Sequence, residues 1–186
     1  MLLAANATWY AARAGGMVAY LLLSASVIVG LLLSGRAKLK HWPRFALEDV
    51  HRFLGILTGI FIVIHGGALL LDTFLPFSLG QLLVPGTASY RPLWVALGVV
   101  AAELLAALAV TNHYRKRLPH SWWRRAHMLN FAVWGLALAH GLTAGTDATT
   151  TWALMLYAGS AWIVVALLVH RVSLHWSPIR TSERRT

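Results

Sequence analysis

HRFLGILTGIFIVIHGG, residues 51–67, opens and closes on histidine and is apolar almost throughout. It lacks the polar stripe that a helix on a soluble protein turns to water, so it reads as a helix surrounded by hydrocarbon or by other helices. Two imidazoles inside such a segment need partners, because polar groups in a bilayer are costly unless paired.

The rest of the chain supports that reading. Of its 186 residues, 58% are hydrophobic and only 12% charged, too apolar a balance for a soluble domain of this length. Five apolar stretches, about 14–33, 50–71, 93–111, 123–143 and 152–172, reach the roughly 20 residues that cross a hydrocarbon core. The links between them are short. The expected fold is therefore an all-α integral membrane bundle of about five transmembrane helices, a single domain over 1–186 with a basic tail at 173–186. The first stretch is longer than the apolar region of a signal peptide and is followed by no A-x-A pattern, so it counts as a helix.

The net charge of +10 invites a nucleic-acid reading, but the placement of the charge opposes it. Of the 16 basic residues, all but Arg13 and Arg91 fall in the first and third loops, their flanks and the tail. The positive-inside rule makes that face cytoplasmic, with the N-terminus out and the C-terminus in, and places the chain in the cell's inner (plasma) membrane in contact with its lipids. Trp9, Tyr10, Tyr90, Trp94 and Trp152 then mark the outer interface, and Trp42, Trp122, Trp123 and Trp176 the inner one. The absence of cysteine excludes disulfides, thiolate-held clusters and haem attached through C-x-x-C-H.

Five of the nine histidines, His41, His113, His120, His170 and His175, lie in loops or at segment ends, where a hydrated imidazole is ordinary. The other four are His51 and His65 on the second stretch and His127 and His140 on the fourth. These two stretches run parallel. At about 1.5 Å per residue His65 lies about 21 Å beyond His51, and His140 about 20 Å beyond His127, so the four form two cross-helix pairs. Each pair suits the two axial positions of a low-spin haem b, whose porphyrin fills the equatorial positions itself. Zinc or copper would need further protein donors at each level. The alternative is four histidines that only hydrogen-bond between helices in a non-redox assembly subunit.

On an ideal helix, the 14-residue step returns His65 to within about 40° of His51, whereas the 13-residue step leaves His140 about 140° from His127. The fourth helix must therefore bend, twist or present its two ligands at different azimuths. Gly55 and Gly59 leave room either for a flat macrocycle or for close helix packing. Arg52, Arg124 and Arg125 adjoin the cytoplasmic pair, where they can neutralise propionates or simply set topology. Glu103, midway along the third stretch, is a candidate proton relay, quinone contact or histidine partner, or a protonated buried acid. Asp72 and Asp147 read as solvated acids at the outer helix ends.

H-x13-H at His51 and His65, followed by H-x12-H at His127 and His140, resembles the ferric reductase-like transmembrane domain superfamily. That superfamily includes NADPH oxidases, ferric reductases and the haem subunit of the bacterial methionine sulfoxide reductase system. HRFLG at 51–55 and WRRAHMLNFAVWGLALAHG at 123–141 are similar to its bacterial small-subunit members, over about residues 15–145. The uneven 14 and 13 spacings are shared with the oxidase branch. The resemblance implies a membrane cytochrome with two haem b groups carrying electrons from a cytoplasmic-side donor to an outer acceptor. The sulfoxide reductase subunits tend to carry arginine where His51 stands, so His51 separates a two-haem chain from a one-haem relative. No G-x-G-x-x-G occurs, so electrons are expected from a separate flavoprotein, from reduced flavin such as FMN, or from quinol, the last making the chain a cytochrome b subunit of a larger complex.

Overall fold

A computed structural model describes residues 2–34 and 42–176. Segments 35–41 and 177–186, with Arg36, Lys38, Lys40 and most of the expected basic tail, lie outside the described residues. The elements run α1 (Leu2–Ser34), α2 (Arg44–Leu71), α3 (Leu79–Leu83), α4 (Pro92–His113), α5 (His120–Met128), α6 (Asn130–Ala144) and α7 (Thr151–Trp176). Among the described residues every regular element is helical. Within α1, α2, α4 and α7, the segments Ala7–Ser34, Arg44–Leu71, Pro92–His113 and Thr151–Ser173 are long and apolar enough to cross a membrane. The chain is an all-α, multi-pass membrane protein.

Three boundaries differ from expectation. Helix α1 begins at Leu2 rather than near Ala14, because residues 2–13 are rich in the strong helix formers leucine and alanine, and α2 begins at Arg44 rather than near Val50, because charged residues are tolerated at a helix end where the backbone leaves the apolar layer. The expected fourth helix is two helices. Leu129, with φ −65° and ψ −12°, stands between α5 and α6. Its N–H bonds the carbonyl of Ala126 in a three-residue step, and the Asn130 side chain takes the carbonyl of His127 at 2.8 Å. That break is the bend the 13-residue spacing demanded. Helix α3 was not anticipated. It is nucleated by a capping box in which Ser78 accepts from the Gln81 backbone and the Gln81 side chain accepts from the Ser78 backbone.

Helix α1 packs on α2, α6 and α7, and α4 packs on α6. The main core joins Tyr20, Leu23, Val27 and Leu31 of α1 to Ala101 and Leu108 of α4, Val133 and Trp134 of α6, and Ala153, Tyr157 and Val164 of α7. Polar groups inside it are paired: Trp134 Nε1 donates to Ser24 Oγ at 3.0 Å, and Tyr20 meets Ser160 at 2.6 Å. Helix α2 buries only Leu47 and Thr58, while Ile56, Ile60, Val63 and Ile64 are exposed, the pattern of a helix whose outer face meets lipid. Arg13 and Asp147 form an ion pair between α1 and the α6–α7 turn, closing the end of the bundle where His65 lies.

Candidate functional site: two facing histidine pairs

The four histidines singled out in the sequence come together in the two expected pairs. The rings of His51 and His127 lie 6.0 Å apart, centroid to centroid, and those of His65 and His140 lie 6.4 Å apart. The two arrangements are nearly the same, with interplanar angles of 72° and 74°.

Three of the rings are held by one repeated device. His65 Nδ1 donates to the carbonyl of Ala12 at 2.6 Å, His51 Nδ1 to that of Ser26 at 2.9 Å, and His140 Nδ1 to that of Trp94 at 2.9 Å. Four residues after each of these carbonyls stands a glycine: Gly16, Gly30 and Gly98. A helical side chain leans toward the N-terminus and covers the carbonyl one turn before it. Glycine leaves that carbonyl open to a second donor from a neighbouring helix. The imidazoles occupy the opened space: a Cβ at Gly16 would stand 2.9 Å from His65 Nδ1, one at Gly30 3.2 Å from His51 Cε1, and one at Gly98 2.7 Å from His140 Nδ1.

Since a carbonyl only accepts, Nδ1 carries the proton in these three rings, and Nε2 keeps the lone pair that binds a metal. His127 is held differently. Its ring stacks on Trp123 of the preceding turn, at 5.3 Å and 23°, and approaches Asn130 on the far side of the helix break. Among the described residues no group of three or more His, Asp or Glu could hold a bare metal ion, so each level offers two imidazoles and nothing more from the protein.

A cavity of about 510 Å³ opens around the second pair, between α1, α2, α4 and α6. His65 and His140 line it together with Gly16, Gly66, Gly98 and Gly141, and Arg13, Asp147 and Tyr90 stand on its wall. Gly55 and Gly59 have no atom within 4 Å of where a Cβ would sit, so this G-x-x-x-G is not a helix-packing seam. The close approach of α1 to α2 is made instead at Gly15, where a Cβ would meet the His65 backbone at 3.3 Å.

The charged candidates are distributed otherwise than expected. Arg52 is exposed and sits 3.6 Å from Asp49 on its own helix. Arg124 and Arg125 line a separate surface cleft with His120 and Arg171. Glu103 is exposed on the outside of α4, and the Nδ1 donors of three of the four histidines are already taken by backbone carbonyls. Asp72, expected to be solvated, is buried; one carboxylate oxygen accepts the Phe74 N–H at 2.8 Å in a turn that ends α2. Sequence reasoning missed Gly16, Gly30 and Gly98. Each lies one turn beyond a backbone carbonyl on a different helix from its histidine, so only the fold reveals the relation.

No solved structure matches the chain. The family model of the ferric reductase like transmembrane component matches residues 15–138, a span that includes His51, His65 and His127 and stops just short of His140. Such a component points to electron transfer across a membrane, and the chain, matched over well more than half its length, belongs to that family.

Proposed function

We propose that the chain is a di-haem b cytochrome of the inner membrane, with one haem between His51 and His127 and a second between His65 and His140. The observation that carries this is the spacing of the paired rings. A bond from a metal to an imidazole nitrogen is about 2 Å, so two nitrogens bound in line are about 4 Å apart, and their ring centres roughly 6 Å apart. The two pairs measure 6.0 and 6.4 Å. The protonated Nδ1 atoms, the open faces of Gly55 and Gly59 and the cavity at the second pair fit the same group.

Haem supplies a one-electron carrier at each level. The protein's own part is ligation and orientation. Each Nδ1–H to carbonyl bond fixes a ring and raises the basicity of its Nε2, which would favour the oxidised state of an iron held there. The cationic end of the bundle, with Arg44, Arg52, Arg124 and Arg125, faces the cytoplasm in this reading and attracts an electron donor of negative charge, either a separate flavoprotein or reduced flavin. The opposite end faces the outer acceptor. There Arg13, held by Asp147, stands on the cavity wall as the cation available to a propionate.

A reduced-minus-oxidised spectrum combined with a haem-to-protein ratio tests this. A ratio near two with a b-type spectrum is expected. Absence of any haem signal in protein produced with ample haem would sink it.

A further inference from the structure

Helix α5, on residues other than the stacked Trp123 and His127, forms with α7 a cleft of about 330 Å³ lined by His120, Ser121, Arg124, Arg125, Met128 and Arg171. We infer that this cleft binds the phosphate headgroup of an anionic phospholipid. The site goes beyond the electron-transfer reading, and its test needs no haem.

Its lining is made of donors. Among the described residues three guanidiniums, an imidazole and a hydroxyl converge with no carboxylate, the set that matches the oxygens of a phosphate diester; of the three guanidiniums Arg171 already has a partner of its own. At the same end of the bundle, Arg44 and Arg52 are already engaged by Glu48 and Asp49, whereas Arg124 and Arg125 make no hydrogen bond or ion pair with any described residue. Their charge is available to a ligand.

The level is that of headgroups. Helix α5 is short, buries none of its residues, and combines this cationic face with Trp122 at 70% exposure. A helix so divided lies in the membrane interface, and basic pockets there recognise anionic lipids. Met128 decides between sources of phosphate. It places an apolar surface inside the cleft, which the glycerol and first methylenes of a lipid cover and a dissolved phosphate leaves wet. A lipid bridging α5 to α7 would also tether the helix on which His127 rides.

The full chain is reconstituted in nanodiscs of phosphatidylcholine containing a small fraction of phosphatidylglycerol, and the lipid retained on re-extraction is measured by native mass spectrometry. The wild type is expected to retain phosphatidylglycerol selectively, more weakly at high salt. Arg124→Gln and Arg125→Gln should each weaken retention about fivefold, and the double variant on the order of 25-fold. Arg44→Gln, a change at an arginine paired with Glu48, should leave retention unchanged. Helical circular dichroism and a single monodisperse peak show that the variants are folded. Equal retention by the folded double variant overturns the site. Displacement of the lipid by millimolar inorganic phosphate, or by polyglutamate, overturns the lipid as its ligand.

Discussion

His140 donates its Nδ1–H to the carbonyl of Trp94, and it reaches that carbonyl because position 98, one turn later, carries no side chain. The same relation ties His65 to Ala12 past Gly16, and His51 to Ser26 past Gly30. The orientation of these three imidazoles is thus written into helices α1 and α4, which contribute none of the four histidines.

Gly98→Ala should therefore remove the haem proposed at the His65 end. The new methyl would stand 2.7 Å from two atoms of the His140 ring, which forces the ring off the carbonyl. Overpacking of this kind costs about 1–3 kcal/mol. The expected haem-to-protein ratio falls from about two to about one, read from the pyridine haemochromogen. Gly59→Ala adds the same methyl where no described atom lies within 4 Å and replaces a glycine inside α2, so the haem-free protein should keep its packing and gain about 0.5–1 kcal/mol of stability. Similar ratios for G98A and wild type would mean that the carbonyl contact does not hold the ligand.

Trp123→Leu acts at the other level. It removes the ring stacked at 5.3 Å on His127, the member of the two pairs whose ring nitrogen meets no backbone carbonyl among the described residues. Such stacking is worth about 0.5–1.5 kcal/mol, so haem at the His51 level should bind roughly two- to tenfold more weakly while the His65 level is unaffected. Haem transfer to apomyoglobin would resolve the two levels by rate. Uniform acceleration of both, or of neither, would contradict the assignment.

The fold was legible in the sequence because bilayer thickness sets the length of a spanning helix; five apolar runs met that length, and among the described residues four of them form single helices long and apolar enough to span, while the run at 123–143 is divided between α5 and α6. The pairing of His51 with His127 and of His65 with His140 followed from helix rise alone, since parallel helices preserve depth. The helix break at Leu129 was foreshadowed by the 13-residue spacing, but its position depends on a local bond from Asn130 to the His127 carbonyl. The glycines at 16, 30 and 98 were silent, because a position on α1 or α4 has meaning for a histidine only once the helices are packed. For the same reason Gly55 and Gly59 carried two readings until the structure showed that no described atom comes within 4 Å of a Cβ placed at either position.

The Arg13–Asp147 pair should contribute modestly to stability. Both side chains are partly open, at 31% and 22%, so solvent screens them. Arg13→Ala, Asp147→Ala and the double variant, compared by denaturation in mild detergent, should give a coupling of about 0.5–1 kcal/mol that shrinks with added salt. A coupling of several kcal/mol would show that this end of the bundle is more enclosed than the exposures indicate.

Glu103 gives the sharpest separation between a part in the electron path and a part outside it. It stands on the exposed face of α4, whereas the ligand orientation that an acid could supply to His140 comes from the Trp94 carbonyl on that same helix. A carboxyl group turned toward hydrocarbon costs free energy that leucine does not, and the cost is depth-dependent. Glu103→Leu should therefore leave haem content and the reduced-minus-oxidised spectrum unchanged while raising the thermal midpoint of the protein in lipid nanodiscs. In detergent, where water reaches that face, the gain should be smaller. A change in the haem spectrum, or loss of one of the two haems, would place Glu103 in contact with the ligands and overturn its assignment to the outer face.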